Sequence, residues 1–341
     1  MYSYIIVIAV NFAITVDKNR EKGFETMPRE KAASILFITG MFGFAALLND
    51  MEIIFPEILA LAVGAWVAKR CPWESRRANI MLSPTIAAFT GMALLKIFPY
   101  RPIFLICIAF LLVVVELQIL QSDVFPAISA AILPIIVHAD SWLYPVSVGI
   151  LTSIVLLGKI VLDRQDLGAE EKFPEIWSDQ NHADNSNRWS YWSKVFVVVA
   201  LIAVAAVYLD AIYLLAPPLI VVFIELTQPN SALWHKPFRV LLLISLAAFS
   251  GVFWLLVTVE LFNLPFWLFG IFAVSWMFLL YHWFEMYLPP AAALTLLPVI
   301  VQSEKLWLYP FQVTVGCLIF VLIARGLFNR PGETGEPLQA D

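Results

Sequence analysis

The sequence predicts an all-α, polytopic transmembrane bundle of two parallel six-segment repeats, on three observations: its composition, the spacing of its apolar runs, and a short proline-opened stretch that occurs twice. Of its 341 residues, 61% are hydrophobic and only 14% charged, and the mean hydropathy is +0.84. Soluble domains carry roughly a quarter of charged residues. The net charge of −5 and the absence of a basic patch give no reason to expect nucleic acid. Cys71, Cys107 and Cys317 show no paired spacing, so they read as small hydrophobes and not as a disulfide or metal framework.

The apolar runs divide the chain in order. MYSYIIVIAVNFAITV lacks the basic start and cleavage site of a signal peptide and reads as a short membrane helix or an interfacial one. A loop dense in both charges, Asp17 to Lys31, closes this first region, residues 1–31. Six apolar segments follow within residues 32–162: Ala32–Leu48, Ile53–Ala68, Ile80–Phe98, Ile103–Leu120, Val124–Val137 and Val146–Leu162. Asp163 to Ser193 holds seven acidic residues against three basic ones, cannot cross a membrane, and separates the halves. Residues 194–328 hold six more segments: Lys194–Leu209, Ile212–Leu226, Arg239–Phe262, Leu264–Tyr281, Tyr287–Val301 and Trp307–Ala324. The polar tail from 329 to 341, rich in Pro and Gly, reads as disordered. The total is about 12–13 membrane segments.

The repeated stretch runs LPPAAALTLLPVIV from Leu288 to Val301 and is followed by WLYP at Trp307 to Pro310. Its fourteen residues reach about 21 Å as a helix, short of the roughly 30 Å hydrocarbon core. Proline suits a first helical turn, and a residue before proline is pushed toward extended backbone. The pattern therefore predicts an extended approach and then a half-helix starting inside the membrane, with a partial positive charge and unpaired N–H donors at its start. FPAISAAILPIIV, Phe125 to Val137, repeats it about 165 residues upstream, again with WLYP at Trp142 to Pro145. AAFTG at Ala87–Gly91 matches AAFSG at Ala247–Gly251, and Phe55-Pro56 matches Pro217-Pro218. Order and spacing are kept, which points to duplication. Within each half, segments two and five are both short and proline-opened, so a nested three-plus-three inversion is a further expectation.

Charge sets the orientation. With the Asp17–Lys31 loop cytoplasmic, 18 of the 21 Lys and Arg fall inside, leaving Lys96, Arg101 and Lys305 outside. The central linker and the C-terminus are then cytoplasmic, in a multi-pass protein of the cell (inner) membrane.

No HExxH, GxSxG, P-loop or CxxC occurs, and no nucleophile, base and orienter assemble from these residues, so neither an enzyme nor a cofactor is expected. His282 and Glu285 are spaced to share a helix face, but their place at a segment end reads as interfacial rather than metal-binding. Ionisable residues inside apolar segments cost about 2.5 to 3.5 kcal/mol each on insertion scales and mark functional positions. Glu57, Glu225 and Glu116 are the proton-coupling candidates; snorkelling or helix capping is the alternative for Glu57 and Glu116. The substrate-binding candidates are Pro56, Pro126, Ser129, Pro217, Pro218, Pro289, Pro290 and Thr295, at or near the starts of the half-helices. Ser and Thr there can equally bond their own backbone.

APPLIVVF at Ala216–Phe223, QPNSALWHKPFRV at Gln228–Val240, LPPAAALTLLP at Leu288–Pro298 and WLYPFQVTVG at Trp307–Gly316 resemble the HPP family of integral membrane proteins. The resemblance covers Ala216 to Arg330, and the first half shares it more weakly through FPAISAAILP and WLYP. Leu288 stands where the family's namesake histidine belongs, before the matching Pro289 and Pro290. What the resemblance implies is a membrane fold with members linked to nitrite or nitrate transport, without whatever that histidine does. A tandem pair further suggests a self-sufficient monomer, a fused pseudo-dimer. The expected partners are the lipid bilayer and a small anionic solute. The alternatives are an exporter resembling the aromatic-acid efflux families and a non-catalytic membrane assembly protein.

Overall fold

The computed structural model describes residues 29–68, 72–98, 102–165, 185–228 and 231–328. The first apolar stretch, most of the charged loop after it, residues 166–184 of the acidic linker and the tail from 329 lie outside the described residues. The first half of the described chain is α1 (Arg29–Leu48), α2 (Glu57–Ala62, continued by a π-helical stretch Val63–Val67), α3 (Asn79–Ile97), α4 (Pro102–Ile119), α5 (Pro126–Val137) and α6 (Leu143–Gln165). The second is α7 (Asn185–Tyr208), α8 (Pro217–Thr227), α9 (Pro237–Leu255, continued by Leu256–Leu261), α10 (Trp267–Phe284), α11 (Pro289–Leu296, closed by a 3₁₀ turn Leu297–Ile300) and α12 (Tyr309–Leu327).

Among the described residues, eight helices are long and apolar enough to cross a membrane: α1, α3, α4, α6, α7, α9, α10 and α12. They suggest a multi-pass protein in a lipid bilayer. Large apolar side chains such as Leu47, Ile119, Leu201, Phe253 and Leu322 are exposed on their outer surfaces, a pattern suited to lipid and costly in water. The short helices do the opposite. At 12 and 11 residues α5 and α8 reach only about 16 to 18 Å. Every residue of α8 is buried, as is all of α11 from Pro289 to Leu296. They form the core around which the long helices stand.

The two halves interleave. α1 packs against α10 and α2 against α11, while α7 packs against α4 and α8 against α5. Thus the first two helices of each half lie on the other half. Phe42 of α1 meets Phe266 and Phe269 edge-on along one seam, and Phe110 and Phe125 meet Trp192 along the other. The four short helices close a ring at the centre, in the order α2, α11, α8, α5 and back to α2.

Each short helix is reached in the same way. The long helices that precede them end on a residue in the left-handed conformation: Asn49 (φ 53°), Gln121 (φ 48°), Asp210 (φ 49°) and Glu285 (φ 48°). At all four ends the next N–H donates back across the turn, Asp50 to Ala45, Ser122 to Leu117, Ala211 to Ala206 and Met286 to Tyr281. The left-handed residue's own N–H donates three back, to Ala46, Gln118, Val207 and His282. This paired bonding is the Schellman stop, which satisfies last-turn carbonyls and turns the chain off the helix axis. The chain then doubles back into the bundle through buried residues, and the expected extended approach holds only in part. Ile54 and Leu288 are extended, but the approaches to α2 and α8 pass through 3₁₀ turns, Met51–Ile53 and Ile212–Leu215, and Phe125 before α5 is already helical in conformation.

Glu285 therefore lies beyond the end of α10 and does not share a helical face with His282, which corrects the reading of their spacing. Both are exposed.

Candidate functional site

Proline fixes where each short helix begins. Pro126 is the first residue of α5, Pro217 and Pro218 open α8, Pro289 and Pro290 open α11, and Pro56 immediately precedes α2. All six are buried. The sequence leads one to expect unpaired N–H donors there, and the structure differs. Tight turns use the first of them: Ala127 donates to Val124, Ile128 to Phe125, Leu219 to Ala216, Ala291 to Leu288, and Ile58 and Leu59 to Phe55 and Pro56. Proline residues supply no donor and the residues after them bond backwards in α5, α8 and α11, so those three starts are closed on themselves.

A second proline inside two of the short helices has the opposite effect. Pro134 in α5 and Pro298 after α11 lack the N–H that would reach the carbonyls of Ala130 and Leu294, four residues earlier. Those two carbonyls accept hydrogen bonds from the tyrosines of the two WLYP stretches, Tyr144 to Ala130 at 2.8 Å and Tyr309 to Leu294 at 2.7 Å. One residue further on, at Ala131 and Thr295, α3 and α9 come so close that only glycine fits. A Cβ on Gly91 would stand 2.1 Å from the Ala131 carbonyl oxygen, and one on Gly251 would stand 2.3 Å from that of Thr295. The repeated motifs AAFTG, AAFSG and WLYP are thus the seats of α5 and α11. Tyr281 donates to the Leu288 carbonyl at 2.7 Å, fixing the approach to α11.

Side chains at both ends hold the approaches in place. The Glu52 carboxylate accepts the N–H groups of Asp140 and Ser141 at 2.7 and 2.8 Å, joining the approach to α2 with the loop after α5. Asp123, before α5, accepts from Glu74 and Ser75 in the loop after α2. In the other half Lys305 pairs with Asp210 at 2.6 Å, and Gln312 accepts from the Tyr213 N–H at 3.1 Å.

What remains without partners lies on the ring. Of the seven buried side-chain polar atoms that lack a hydrogen-bond partner among the described residues, four belong to the short helices: both carboxylate oxygens of Glu57, Oε2 of Glu225 and Oγ of Ser129. Glu57 is 1% exposed, Glu225 3% and Ser129 0%. They come from three different helices, α2, α8 and α5. Thr295, on the fourth, is self-contained: its hydroxyl lies 3.2 Å from both the Ala291 carbonyl and the Met277 sulfur. Glu116 is half-buried on α4, outside the ring, with Oε1 unpartnered. An open cavity of about 320 Å³, lined by Leu95, Lys96, His138, Ala139 and Asp140, lies where α3 and α5 end.

Comparison with family models, curated proteins and solved structures finds no match. The chemistry of the site is therefore argued from these residues. A buried carboxyl or hydroxyl without a partner costs about 1 to 3 kcal/mol, and more when charged. Seating α5 and α11 uses every opportunity for bonding, down to the carbonyls freed by Pro134 and Pro298. Glu57, Ser129 and Oε2 of Glu225, on three helices of the same ring, stay without a hydrogen-bond partner among the described residues.

Proposed function

We propose that this protein is a membrane transporter or channel for a small, anionic solute, taken up at the ring of four short helices. The single observation that carries the reading is that three of the four buried short helices each hold a buried polar side chain, Glu57, Ser129 and Glu225, with an atom that has no hydrogen-bond partner among the described residues. Polar groups at membrane depth are expensive, and the usual reason to retain them is a pathway. Half-helices that end inside the membrane at a solute site are the common device of carriers. The resemblance of the Ala216–Arg330 stretch to the HPP family, with its nitrite- and nitrate-linked members, supplies the anionic class. The two-fold set of matching contacts, Gly91 with Gly251 and Tyr144 with Tyr309, supports duplication and a fused pseudo-dimer. The bias of Lys and Arg toward alternate connections supports a cytoplasmic linker and C-terminus.

In this reading Ser129 is the solute contact nearest a helix start, and the prolines set the geometry without touching the solute. Reconstitution into liposomes tests it. Nitrate and nitrite uptake above that of empty vesicles, lowered by Ser129→Ala, is expected. Absence of uptake for any small anion, with and without a pH gradient, overturns it.

A second reading is favoured by one observation: the short helices are wholly buried and their first N–H groups are engaged. A ring packed in this way also suits an assembly protein whose half-helices serve packing alone. It predicts that Ser129→Ala leaves every property but stability unchanged.

A further inference from the structure

The only ionisable residues on the four short helices are two acids, Glu57 and Glu225, and α5 and α11 have none. No lysine, arginine or histidine lies on any of them. An anion entering this ring meets no cationic side chain on the short helices, and the first N–H groups of α5, α8 and α11 are already engaged in turns. An ionised carboxylate beside it, in a medium of low dielectric, would repel it by far more than a helix end attracts it. The groups able to donate to an anion here are hydroxyls: Ser129, and the two carboxyls when protonated.

We propose that the coupling ion of the site is the proton, carried by Glu57 and Glu225, so that a monovalent anion and one proton cross together without net movement of charge. This rests on the transport reading above. The acid takes a proton from water onto a carboxylate oxygen and donates that O–H to the anion. When the anion leaves, the proton follows it to the same side. No oxidant or other reactant enters the balance.

The two acids occupy opposite ends of their own short helices: Glu57 opens α2, and Glu225 lies two residues from the end of α8.

Around Glu57, α5 and α11 bring no titratable group, and α6 and α12 bring Tyr144 and Tyr309. The approach to α2 brings Asp50 and Glu52, the latter with its carboxylate held by the Asp140 and Ser141 N–H groups, and the charges of α1, Arg29, Glu30 and Lys31, lie at its far end. Around Glu225, α7 brings Tyr191, whose hydroxyl bonds Thr227 at 2.9 Å, and α10 brings Tyr281. α12 brings Cys317 and the exposed Arg325, and the turn Ala232–His235 brings the exposed His235.

The test has two arms on the full-length chain. Infrared difference spectra between wild type and Glu57→Gln, and between wild type and Glu225→Gln, report the carbonyl stretch of a protonated carboxyl at neutral pH, with or without transport. Loss of one such band in each variant is expected. Spectra that show both groups ionised overturn the proposal, whatever the transport result. Glu57→Asp, which keeps an acid, retains a band and guards against a variant that fails to fold. In the second arm, liposomes loaded with a pH dye receive a nitrate gradient while potassium and valinomycin hold the voltage fixed. Nitrate entry with matching acidification is expected, with nitrate exchange but no acidification in the Gln variants. Nitrate entry without acidification in the wild type overturns the proton coupling and leaves the transport reading standing. Protonated carboxyls in a protein that moves no anion overturn the transport reading instead.

Discussion

At the scale of single residues, the most informative pair is a tyrosine and a proline that never touch in sequence. Pro134 removes an N–H, the Ala130 carbonyl is left over, and Tyr144 takes it at 2.8 Å. Tyr144→Phe leaves that carbonyl buried without a donor and is expected to cost about 1 to 3 kcal/mol in a detergent unfolding assay. In a Pro134→Ala background the restored N–H reaches the same carbonyl, so the second loss is smaller. A double-mutant cycle reads this coupling, and additive effects would remove the account of why WLYP is written twice. Glycine gives a sharper contrast. Gly91→Ala and Gly251→Ala drive a methyl into a backbone carbonyl and are expected to lower the unfolding temperature markedly. Gly40→Ala, with nothing within 4 Å, is expected to leave it unchanged or raise it. The sequence exposes both glycines through the matched AAFTG and AAFSG, and it exposes WLYP. It does not expose their partners, because a carbonyl freed by proline is visible only after the helix has been counted back four residues. His282 and Glu285 show the limit of spacing: it promises a shared face only while the helix continues, and Glu285 has already left it, which agrees with their place at a segment end.

At the scale of the element, the unit is a long helix, a left-handed stop, a short buried approach and a short proline-opened helix, used four times. Three of its parts are legible, since the apolar runs give the helices, proline gives the starts, and a run of fourteen residues is too short to span. The stops are only half legible. Asn49 and Asp210 are residue types that tolerate the left-handed region, while Gln121 and Glu285 are not, and each of the latter accepts a conformational cost of roughly 1 kcal/mol. Gln121→Gly and Glu285→Gly are accordingly expected to hold or raise stability, by up to about 1 kcal/mol. The β-branched Gln121→Val is expected to lower it. Thermal unfolding of the purified variants, compared with the same changes at mid-helix positions, decides the matter. If the Gly variants lose as much as Val, the stops do not depend on this conformation.

At the scale of the whole molecule, the interleaving is what the sequence leaves hidden. Helices that are apolar all round carry no stripe to say which neighbour they meet, so nothing in α1 or α7 points to α10 or α4. The consequence is strong mutual dependence. Residues 1–165 and 166–341 expressed apart each lack the surface on which their first two helices rest, and they are expected to aggregate. Co-expressed, they are expected to recover a complex that co-purifies in detergent. Monodisperse halves on their own would mean that the cross-packing of α1 on α10 and α7 on α4 contributes little. Interleaving also means that each half supplies one acid to a ring that neither half encloses alone.

That ring is the centre of the account, and its accessibility to a solute is the matter to measure. In a chain whose three native cysteines are replaced by serine, Ser129→Cys places a thiol at the site's most enclosed polar atom. Reaction of that thiol with a small water-borne thiosulfonate, slowed by nitrate, is the expected result. A thiol that never reacts from either side, or reacts at a rate indifferent to every small anion, would contradict the account and leave the four short helices as packing.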